Sequence, residues 1–389
     1  MRIRDQQRQS SSSSRRICCY RLVFYSTATL LFLFNVGFYF GVGGSFNEII
    51  NNANAANYYS KAIDNDVVAK DTSDSNDKHI NLHIIKNTST NEHILQILNA
   101  SKITITEEMA KQLPTWEDIT SMYGDKSVIH GLETCEHYRN TVKPADRTIG
   151  PAGLFNTGTN LMYKLLTDNC HIDGKILYQA PWGKHSPASN RLKREAPSGK
   201  GINQTEFFPF MMVKDPFTWM NSQCRHGYGV TFWKSEYDEE HCPNLIRENV
   251  RDRDETVPLK LFSGDKFHDT LLDAYNWWYG VWEEERITKF FPHLAIRYED
   301  LLFHGQEVSR IACECVGGNV ITNFHFESES AKGDSGPHEG SSGLVKALIQ
   351  YGNPTTRMSG FSDRDVRYAR NNNATAKLMK EYAYSYPVL

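Results

Sequence analysis

The sequence predicts an α/β domain built on a central parallel sheet with helices on both faces. Over residues 148–382, short apolar runs alternate with amphipathic segments, which is typical of strands and helices that alternate along a chain. A glycine-containing turn also joins an apolar run to an amphipathic run within residues 149–166. A third observation, an uncharged segment near the N-terminus, predicts that a signal-anchor helix and a stem precede this domain.

The first 44 residues predict the membrane anchor. Residues 1–21 contain six arginines and a single acidic residue, so they are predicted to form a cytoplasmic tail. Residues 22–44 contain no charged side chain and are long enough to cross the hydrocarbon core of a bilayer. No small-residue cleavage site follows, which favours an uncleaved anchor over a signal peptide. The sequence therefore predicts a single-pass type II membrane protein, and its anchor helix is compatible with a homodimer.

The remaining chain is expected beyond the membrane, as a stem and a globular domain. Residues 45–113 are rich in Asn, Ser, Asp, Thr and Lys, and they are predicted to form a stem that is part disordered and part weakly helical. Residues 114–389 contain recurrent aromatic residues and are predicted to form one α/β domain. The formal net charge of -3 argues against a nucleic-acid partner.

Cysteines and glycosylation sequons agree with an oxidising lumen. An even set of six cysteines in the predicted lumenal part favours one or more disulfides, with the pairing left open. These cysteines are Cys135, Cys170, Cys224, Cys242, Cys313 and Cys315. Four Asn-x-Ser/Thr sequons, at Asn87, Asn99, Asn203 and Asn373, fit lumenal exposure.

Hydrophobic periodicity predicts the elements of the domain. The predicted strands are Thr148–Phe155, Lys175–Gln179, Phe208–Lys214 and His293–Tyr298. The predicted helices are Asn160–Thr167, Pro216–Arg225, Phe267–Phe290, Gln306–Val316 and Asp363–Tyr382. Asp215 and Pro216 suit the cap and first turn of the second helix. Trp278 and Trp282 lie at helical spacing and are predicted to be core residues.

The turn after the first predicted strand has the features of an anion site. Its sequence, Gly153-Leu-Phe-Asn-Thr-Gly-Thr-Asn160, spaces two glycines as in a phosphate-binding P-loop. Such a turn aims backbone N–H groups and a helix N-terminus at a negatively charged ligand. Thr159 and Asn160 stand where a nucleotide hydrolase has Lys and Ser/Thr, so the ligand is expected to be an anionic donor that needs no metal.

Two further segments follow predicted strands and are expected at the same edge of the sheet. Lys214 ends one strand and Ser222 lies in the next helix, so the two side chains can jointly hold a phosphate, helped by exposed helical N–H groups. Lys184 and His185 lie beyond another strand. Histidine has a suitable pKa for a general base, and a lysine can offset charge on a leaving group.

Together these segments resemble a sulfotransferase of the P-loop superfamily, of the membrane-anchored Golgi kind. The resemblance covers residues 148–384 and includes Ile296–Leu301 and Phe361–Tyr382. It implies a P-loop-type sheet and the co-substrate 3′-phosphoadenosine 5′-phosphosulfate. The 5′-phosphosulfate would be held by the glycine turn, through residues Asn156, Thr157, Gly158, Thr159 and Asn160. The 3′-phosphate would be held by Lys214 and Ser222, with Arg357 a further candidate ligand.

The resemblance also implies the reaction, an in-line transfer of the sulfuryl group to an acceptor hydroxyl, without a metal. A glycan is the expected acceptor. His185 is the expected base, and Lys184 the expected leaving-group cation, because Asn156 stands where many sulfotransferases have Lys or Arg. Glu206 is an alternative base.

Two other classes remain open at the sequence level. A type II Golgi glycosyltransferase would share the anchor, the stem and the sequons. Its metal-dependent form would show an Asp-x-Asp motif after an apolar strand, whereas the motifs here lie elsewhere, at Asp64/Asp66, Asp252/Asp254 and Asp363/Asp365. The other class is a catalytically weak lumenal protein of the same fold that binds a nucleotide or a glycan.

Overall fold

A computed structural model describes residues 91–191, 203–232, 240–247, 255–261, 267–289, 291–329 and 343–387. The predicted tail, the predicted anchor and residues 45–90 of the predicted stem lie outside the described residues. The chain divides into two units, Met1–Thr72 and Ser73–Leu389, and every described residue belongs to the second. Among the helices of these ranges, none is long and apolar enough to cross a membrane.

The second unit is a mixed α/β structure with a five-stranded sheet. Its strands are β1 (Ile129–His130), β2 (Thr148–Gly153), β4 (Lys175–Ile176), β5 (Phe207–Val213) and β11 (Leu294–Arg297), in the order β1-β11-β5-β2-β4. The pairs β11–β5, β5–β2 and β2–β4 are parallel. The short edge strand β1, which the sequence did not predict, pairs antiparallel with β11. The sheet is therefore mixed, with mostly parallel strands.

The other described strands form small sheets around this one. They are β3 (Cys170–His171), β6 (Val230–Phe232), β7 (Ile246–Arg247), β8 (Glu255–Thr256), β9 (Leu259–Leu261), β10 (Phe267–His268) and β12 (Asn319–Val320). A three-stranded sheet has the order β10-β9-β6, and the pairs β12–β3 and β7–β8 complete the set.

The helices of the described ranges run from near residue 92 to the C-terminal part of the chain. They are α1 (Glu92–Ala100), α2 (Glu107–Gln112), α3 (Trp116–Tyr123), α4 (Thr134–Thr141), α5 (Thr159–Asn169), α6 (Pro216–Arg225), α7 (Leu271–Lys289), α8 (Tyr298–Phe303), α9 (Gly305–Cys315), α10 (Gly343–Gly352), α11 (Pro354–Met358), α12 (Asp363–Asn371) and α13 (Asn373–Glu381).

The central strand β5 is buried along its whole length and supplies both faces of the core. Phe208, Phe210 and Met212 join one hydrophobic cluster, which includes residues of α4, α5 and α9. Phe207 and Met211 alternate with them and join a second cluster, which includes residues of α1, α3, α6, α7 and α10. Because successive strand side chains point to opposite faces, helices cover both sides of the sheet.

Three predicted elements differ clearly from the structure, whereas the ends of the others agree to within two residues. Strand β4 stops at Ile176 instead of Gln179, since its neighbour Pro151 in β2 has no N–H to continue the ladder. Helix α7 begins at Leu271 instead of Phe267, after the Thr270 hydroxyl accepts a hydrogen bond from the Asp273 N–H at 3.1 Å.

The predicted C-terminal helix Asp363–Tyr382 is two helices, α12 and α13. Asn372 adopts an extended conformation between them, and its Oδ1 accepts hydrogen bonds from the N–H groups of Ala374 and Thr375. An Asn side chain that caps a new helix in this way interrupts the old one.

Residues 91–113, which the sequence assigned to the stem, contain α1 and α2. Ile94 and Leu98 of α1 are fully buried in the same hydrophobic cluster as Ile119 of α3. The hydrophobic core of the second unit therefore includes residues from the end of the predicted stem.

The six cysteines of the predicted lumenal part form three disulfides: Cys135–Cys315, Cys170–Cys313 and Cys224–Cys242. Two of them involve helix α9, through Cys313 and Cys315. One ties α9 to α4, and the other ties α9 to β3, directly after α5. These bridges fix the helices that cover one face of the sheet.

Candidate functional site

The candidate site lies where two adjacent parallel strands end. The glycine turn follows β2, and Lys214 follows β5. Since β2 and β5 are paired in parallel, their carboxyl ends meet at one edge of the sheet, where ligands bind in open α/β sheets.

The glycine turn closes through a side chain and a special backbone conformation. The Thr157 hydroxyl, fully buried, donates to the carbonyl of Leu154 at 2.7 Å. Gly158 has φ +80°, and an added Cβ there would lie 2.2 Å from Cδ2 of Tyr298. A residue with a side chain cannot take this position without displacing Tyr298. Gly158 also precedes α5 without a side-chain cap, so the first-turn N–H groups at Thr159 and beyond have no capping acceptor there.

Asn156 connects the turn to helix α6. Its backbone has φ +61°, a left-handed conformation that Asn tolerates better than most residues. Its amide nitrogen donates to the carbonyls of Ser222 and His226 and to Oε1 of Gln223, at 3.1–3.3 Å. Both amide hydrogens are therefore engaged within the protein, while the backbone carbonyl of Asn156 faces Lys214.

Lys214 is buried at the centre of the site, with 1% of its side chain exposed. Its ammonium donates to the Asn156 carbonyl at 3.1 Å, to Oγ of Ser222 at 2.9 Å and to the phenol oxygen of Tyr351 at 3.1 Å. All three acceptors are uncharged oxygens. Burial lowers the pKa of this ammonium, because a low-dielectric environment disfavours the charged form.

Two tyrosine rings enclose the same ammonium. The rings of Tyr298 and Tyr351 have their centroids 4.5 and 4.2 Å from Nζ of Lys214, within the range of cation–π attraction. Burial opposes ionisation of Tyr351, but the nearby cations Lys214 and Arg225 outweigh it and lower the pKa of the phenol to about 8. The surroundings of this oxygen therefore favour a negative charge.

Helix α6 supplies the serine and a second cation. Ser222 donates its hydroxyl hydrogen to the Thr218 carbonyl at 2.8 Å, and its oxygen accepts from Arg225 at 3.1 Å as well as from Lys214. Tyr275 of α7 donates to the backbone carbonyl of Lys214 at 2.6 Å, which fixes the end of the strand.

Lys184 and His185 lie on the other side of the turn, against the last residue of β2. The Gly153 N–H donates to the Lys184 carbonyl at 2.9 Å, and Nδ1 of His185 lies 2.7 Å from the Gly153 carbonyl. A carbonyl only accepts, so Nδ1 carries the hydrogen, and the lone pair of the neutral ring is on Nε2. The imidazole also packs on the ring of Phe155, with centroids 4.1 Å apart. Its orientation and tautomer are thus fixed by β2 and the turn.

Lys184 is buried beside the first turn of α5. Its ammonium donates to Oδ1 of Asn160 at 2.7 Å and lies 3.2 Å from the centroid of the Tyr178 ring. The Tyr178 hydroxyl donates to the same Oδ1 at 2.8 Å. The Asn160 side chain therefore holds the lysine next to the start of the helix.

Arg357 lies close to Lys214 in the fold but is engaged by an acid. Its Nε donates to Oδ2 of Asp215 at 3.1 Å, and its Nη2 donates to the Ser385 carbonyl at 2.7 Å. Asp215 also caps α6, since its Oδ1 accepts from the Thr218 N–H at 2.9 Å. Arg357 thus holds the carboxylate that caps the N-terminus of α6.

The structure brings most of the predicted site residues to one edge. The turn from Asn156 to Asn160 is flanked by the pair Lys184 and His185 on one side and by Lys214 and Ser222 on the other. Glu206 does not join them, because it precedes β5 and so lies at the opposite end of the strand that Lys214 follows.

Sequence reasoning missed Tyr351, Tyr298, Tyr178 and Arg225. Tyr351 is 137 residues from Lys214, and no local pattern marks it. Tyr298 and Arg225 had weak signals, since one is the last residue of a predicted strand and the other lies one turn after Ser222 in a predicted helix.

Comparisons with protein families, curated proteins and solved structures found no match to this chain. Within the described ranges, no group of three or more His, Cys, Asp or Glu side chains is arranged to hold a metal ion.

Proposed function

We propose that the protein is a sulfotransferase that uses 3′-phosphoadenosine 5′-phosphosulfate, with a P-loop-type glycine turn and a glycan as acceptor. The observation that carries the proposal is the buried Lys214 ammonium, whose hydrogen-bond partners are all uncharged and which shares the Ser222 hydroxyl with Arg225. Lys214 and Arg225 thus meet at the Ser222 hydroxyl, and the N-terminus of α5 follows the adjoining glycine turn. Such a grouping suits a ligand that carries phosphate.

The co-substrate would lie along the sheet edge. The first-turn N–H groups of α5 would hold the 5′-phosphosulfate, and Lys214 with Ser222 would hold the 3′-phosphate. Asn156 would take part through its backbone, because its amide is bonded to α6.

In the proposed reaction the acceptor oxygen forms a bond to sulfur as the bond from sulfur to the donor phosphate oxygen breaks. Nε2 of His185 takes the hydroxyl proton, because the Gly153 carbonyl holds the hydrogen of Nδ1. Lys184 offsets the charge that develops on the leaving phosphate, and adenosine 3′,5′-bisphosphate is released. We propose that the domain works in the lumen of the Golgi behind a signal anchor, and the three disulfides support an oxidising compartment.

A binding experiment tests the assignment. The full-length protein in detergent is titrated with adenosine 3′,5′-bisphosphate and with uridine diphosphate. The bisphosphate should bind, and Lys214→Met should weaken its binding by about 10- to 100-fold, the usual effect of losing a charged hydrogen-bond donor. The matched control is Lys175→Met, which changes an exposed lysine at the start of β4 and should bind normally. Preference for uridine diphosphate would instead indicate a glycosyltransferase.

The glycosyltransferase alternative is weakened by one described Asp-x-Asp motif. Asp365 is fully buried, and its carboxylate accepts from the N–H groups of Leu245 and Ile246 and from Ser362. These contacts give it a structural task. The other two motifs lie outside the described residues.

Turnover distinguishes an enzyme from a protein that only binds. With labelled donor and a panel of glycans, His185→Ala and Lys184→Ala should each lower the transfer rate by about 100-fold or more while the bisphosphate still binds. Normal turnover in either variant would remove that residue from its role. Binding without any transfer would favour the catalytically weak binding protein.

A further inference from the structure

Tyr351 enters the proposed phosphate site from a distant part of the chain. It lies near the end of helix α10, and its backbone carbonyl accepts from the buried phenol of Tyr123 at 2.8 Å. Its own phenol oxygen lies 3.1 Å from Nζ of Lys214 and 3.4 Å from Oγ of Ser222. The tyrosine oxygen therefore contacts both groups to which the 3′-phosphate is assigned.

The hydrogen bonds of these two groups are fully used. An ammonium has three N–H donors, and those of Lys214 go to Asn156, Ser222 and Tyr351. The Ser222 hydroxyl gives its hydrogen to Thr218 and accepts from Lys214 and Arg225. A phosphate oxygen can reach Lys214 only if one of the present acceptors leaves.

Tyr351 is the acceptor that can leave at least cost. The Asn156 carbonyl belongs to the glycine turn, which its own side chain ties to α6, and Ser222 is held within α6 by Thr218. The phenol oxygen of Tyr351 stands at the tip of a side chain, so a change of its side-chain torsion angles releases it without moving either element.

The charges around the phenol match those a phosphate needs. Lys214 and Arg225 are the nearby cations. Of the nearby acids, Asp215 is paired with Arg357, and Glu299 accepts hydrogen bonds from Asp215 and Tyr384. The lowered pKa of Tyr351 reflects the same positive surroundings.

We infer that, in the free protein, the phenol oxygen of Tyr351 occupies the position of the ligand's 3′-phosphate. When the nucleotide binds, its 3′-phosphate displaces this oxygen from Lys214 and Ser222. This inference rests on the proposed function, because it assigns the 3′-phosphate to these two residues. Tyr351 then determines specificity. A dianionic phosphate outcompetes a phenol for a buried ammonium, whereas the 3′-hydroxyl of an ordinary nucleotide offers no gain over it.

The test compares Tyr351→Phe with the wild type in the full-length protein, using adenosine 3′,5′-bisphosphate and adenosine 5′-monophosphate. Removing the phenol oxygen leaves Lys214 short of a partner only in the free protein. The variant should therefore bind the bisphosphate about tenfold more tightly, and the monophosphate should gain less, because a hydroxyl accepts from an ammonium more weakly than a dianionic phosphate does. Tyr351→Leu, which also removes the ring, should shift the affinity in the same direction. The control is Tyr368→Phe, which removes a phenol bonded to Asp273 on α7 and should leave both affinities unchanged.

Bisphosphate affinity that is equal or weaker in both Tyr351 variants overturns the inference and leaves the proposed function standing, because Tyr351 would then be a partner of the phosphate. Failure of every protein, including the wild type, to bind the bisphosphate overturns the proposed function, and the inference with it.

Discussion

Glu299 is a carboxyl group buried completely beneath the candidate site. Its Oε1 accepts from the Asp215 N–H at 3.1 Å and from the Thr218 hydroxyl at 3.3 Å, and its Oε2 accepts from Tyr384 at 2.8 Å. Burial, reinforced by the negative charge of Asp215, raises the pKa of Glu299 from 4.5 to about 7. The group therefore titrates in the range where enzymes of neutral compartments work.

This raised pKa predicts a pH dependence of stability. Between pH 4.5 and about 7, the folded protein holds a proton that the unfolded chain releases. The free energy of unfolding should therefore fall as the pH rises through this range, by an amount of the order of 3 kcal/mol, and level off above it. Glu299→Gln stays neutral and keeps one of the two acceptor oxygens.

The measurement is denaturant unfolding of both proteins from about pH 5 to about pH 8. The advantage of Glu299→Gln over the wild type should grow with pH, because only the wild type carries the buried charge. A difference that stays constant over this range would mean that Glu299 keeps an ordinary pKa.

Single residues also show where sequence reasoning succeeds. The positions of Gly158 and Lys214 followed from local order, since each comes shortly after a buried strand, and His185 follows β4 along the chain. The positions of Tyr351 and Glu299 could not be predicted in this way. Tyr351 is 137 residues from its partner Lys214, and Glu299 is 84 residues from its partner Asp215. Such contacts depend on how the helices pack on the sheet, and no short pattern encodes that packing.

At the scale of elements, one aspartate at the N-terminus of α6 makes two different interactions. Asp215 caps the helix through Oδ1 and pairs with the buried guanidinium of Arg357 through Oδ2. Helix α6 carries Ser222, so this support positions half of the proposed phosphate site.

Asp215→Asn separates the two interactions, because it keeps the cap oxygen but removes the charge. It should lower the free energy of unfolding by about 3–5 kcal/mol, since it leaves Arg357 buried without a counter-charge. Adding Arg357→Met should recover part of that loss. Chemical denaturation of the two single variants and the double variant measures the coupling, and an Asp215→Asn protein as stable as the wild type would contradict it.

Element boundaries were predictable where a capping residue acts alone. Helix α6 spans Pro216–Arg225, as its Asp-Pro start predicts. The break at Asn372 and the early end of β4 were missed, because the first depends on a competing cap and the second on a proline in the neighbouring strand. Edge strand β1 has two residues, too few to give a periodic signal.

At the scale of the whole molecule, the three disulfides close loops of very different length along the chain. Cys135–Cys315 closes 180 residues, and Cys224–Cys242 closes 18. In the chain-entropy view, a bridge stabilises by restricting the unfolded chain, and more so for a longer loop.

Replacing Cys135 and Cys315 by serine removes an outer bridge whose loop is already largely closed by Cys170–Cys313, so the free energy of unfolding should fall by about 4 kcal/mol. The same change at Cys224 and Cys242 should lower it by about 3 kcal/mol. Urea unfolding of the two double variants, each beside the wild type, gives the order. A larger loss for the short bridge would show that strain or residual structure in the unfolded chain governs the effect.

The two disulfides of helix α9 also determine whether the fragments of a cleaved chain separate. Cys170–Cys313 and Cys135–Cys315 both span every peptide bond between residues 171 and 312. One cut anywhere in that stretch yields two fragments that stay covalently joined until a reductant is added. The strands β5 and β11, Lys184, His185, Lys214 and Ser222 all lie inside it. A nicked molecule can therefore keep its site assembled, and damage would appear only on a reducing gel.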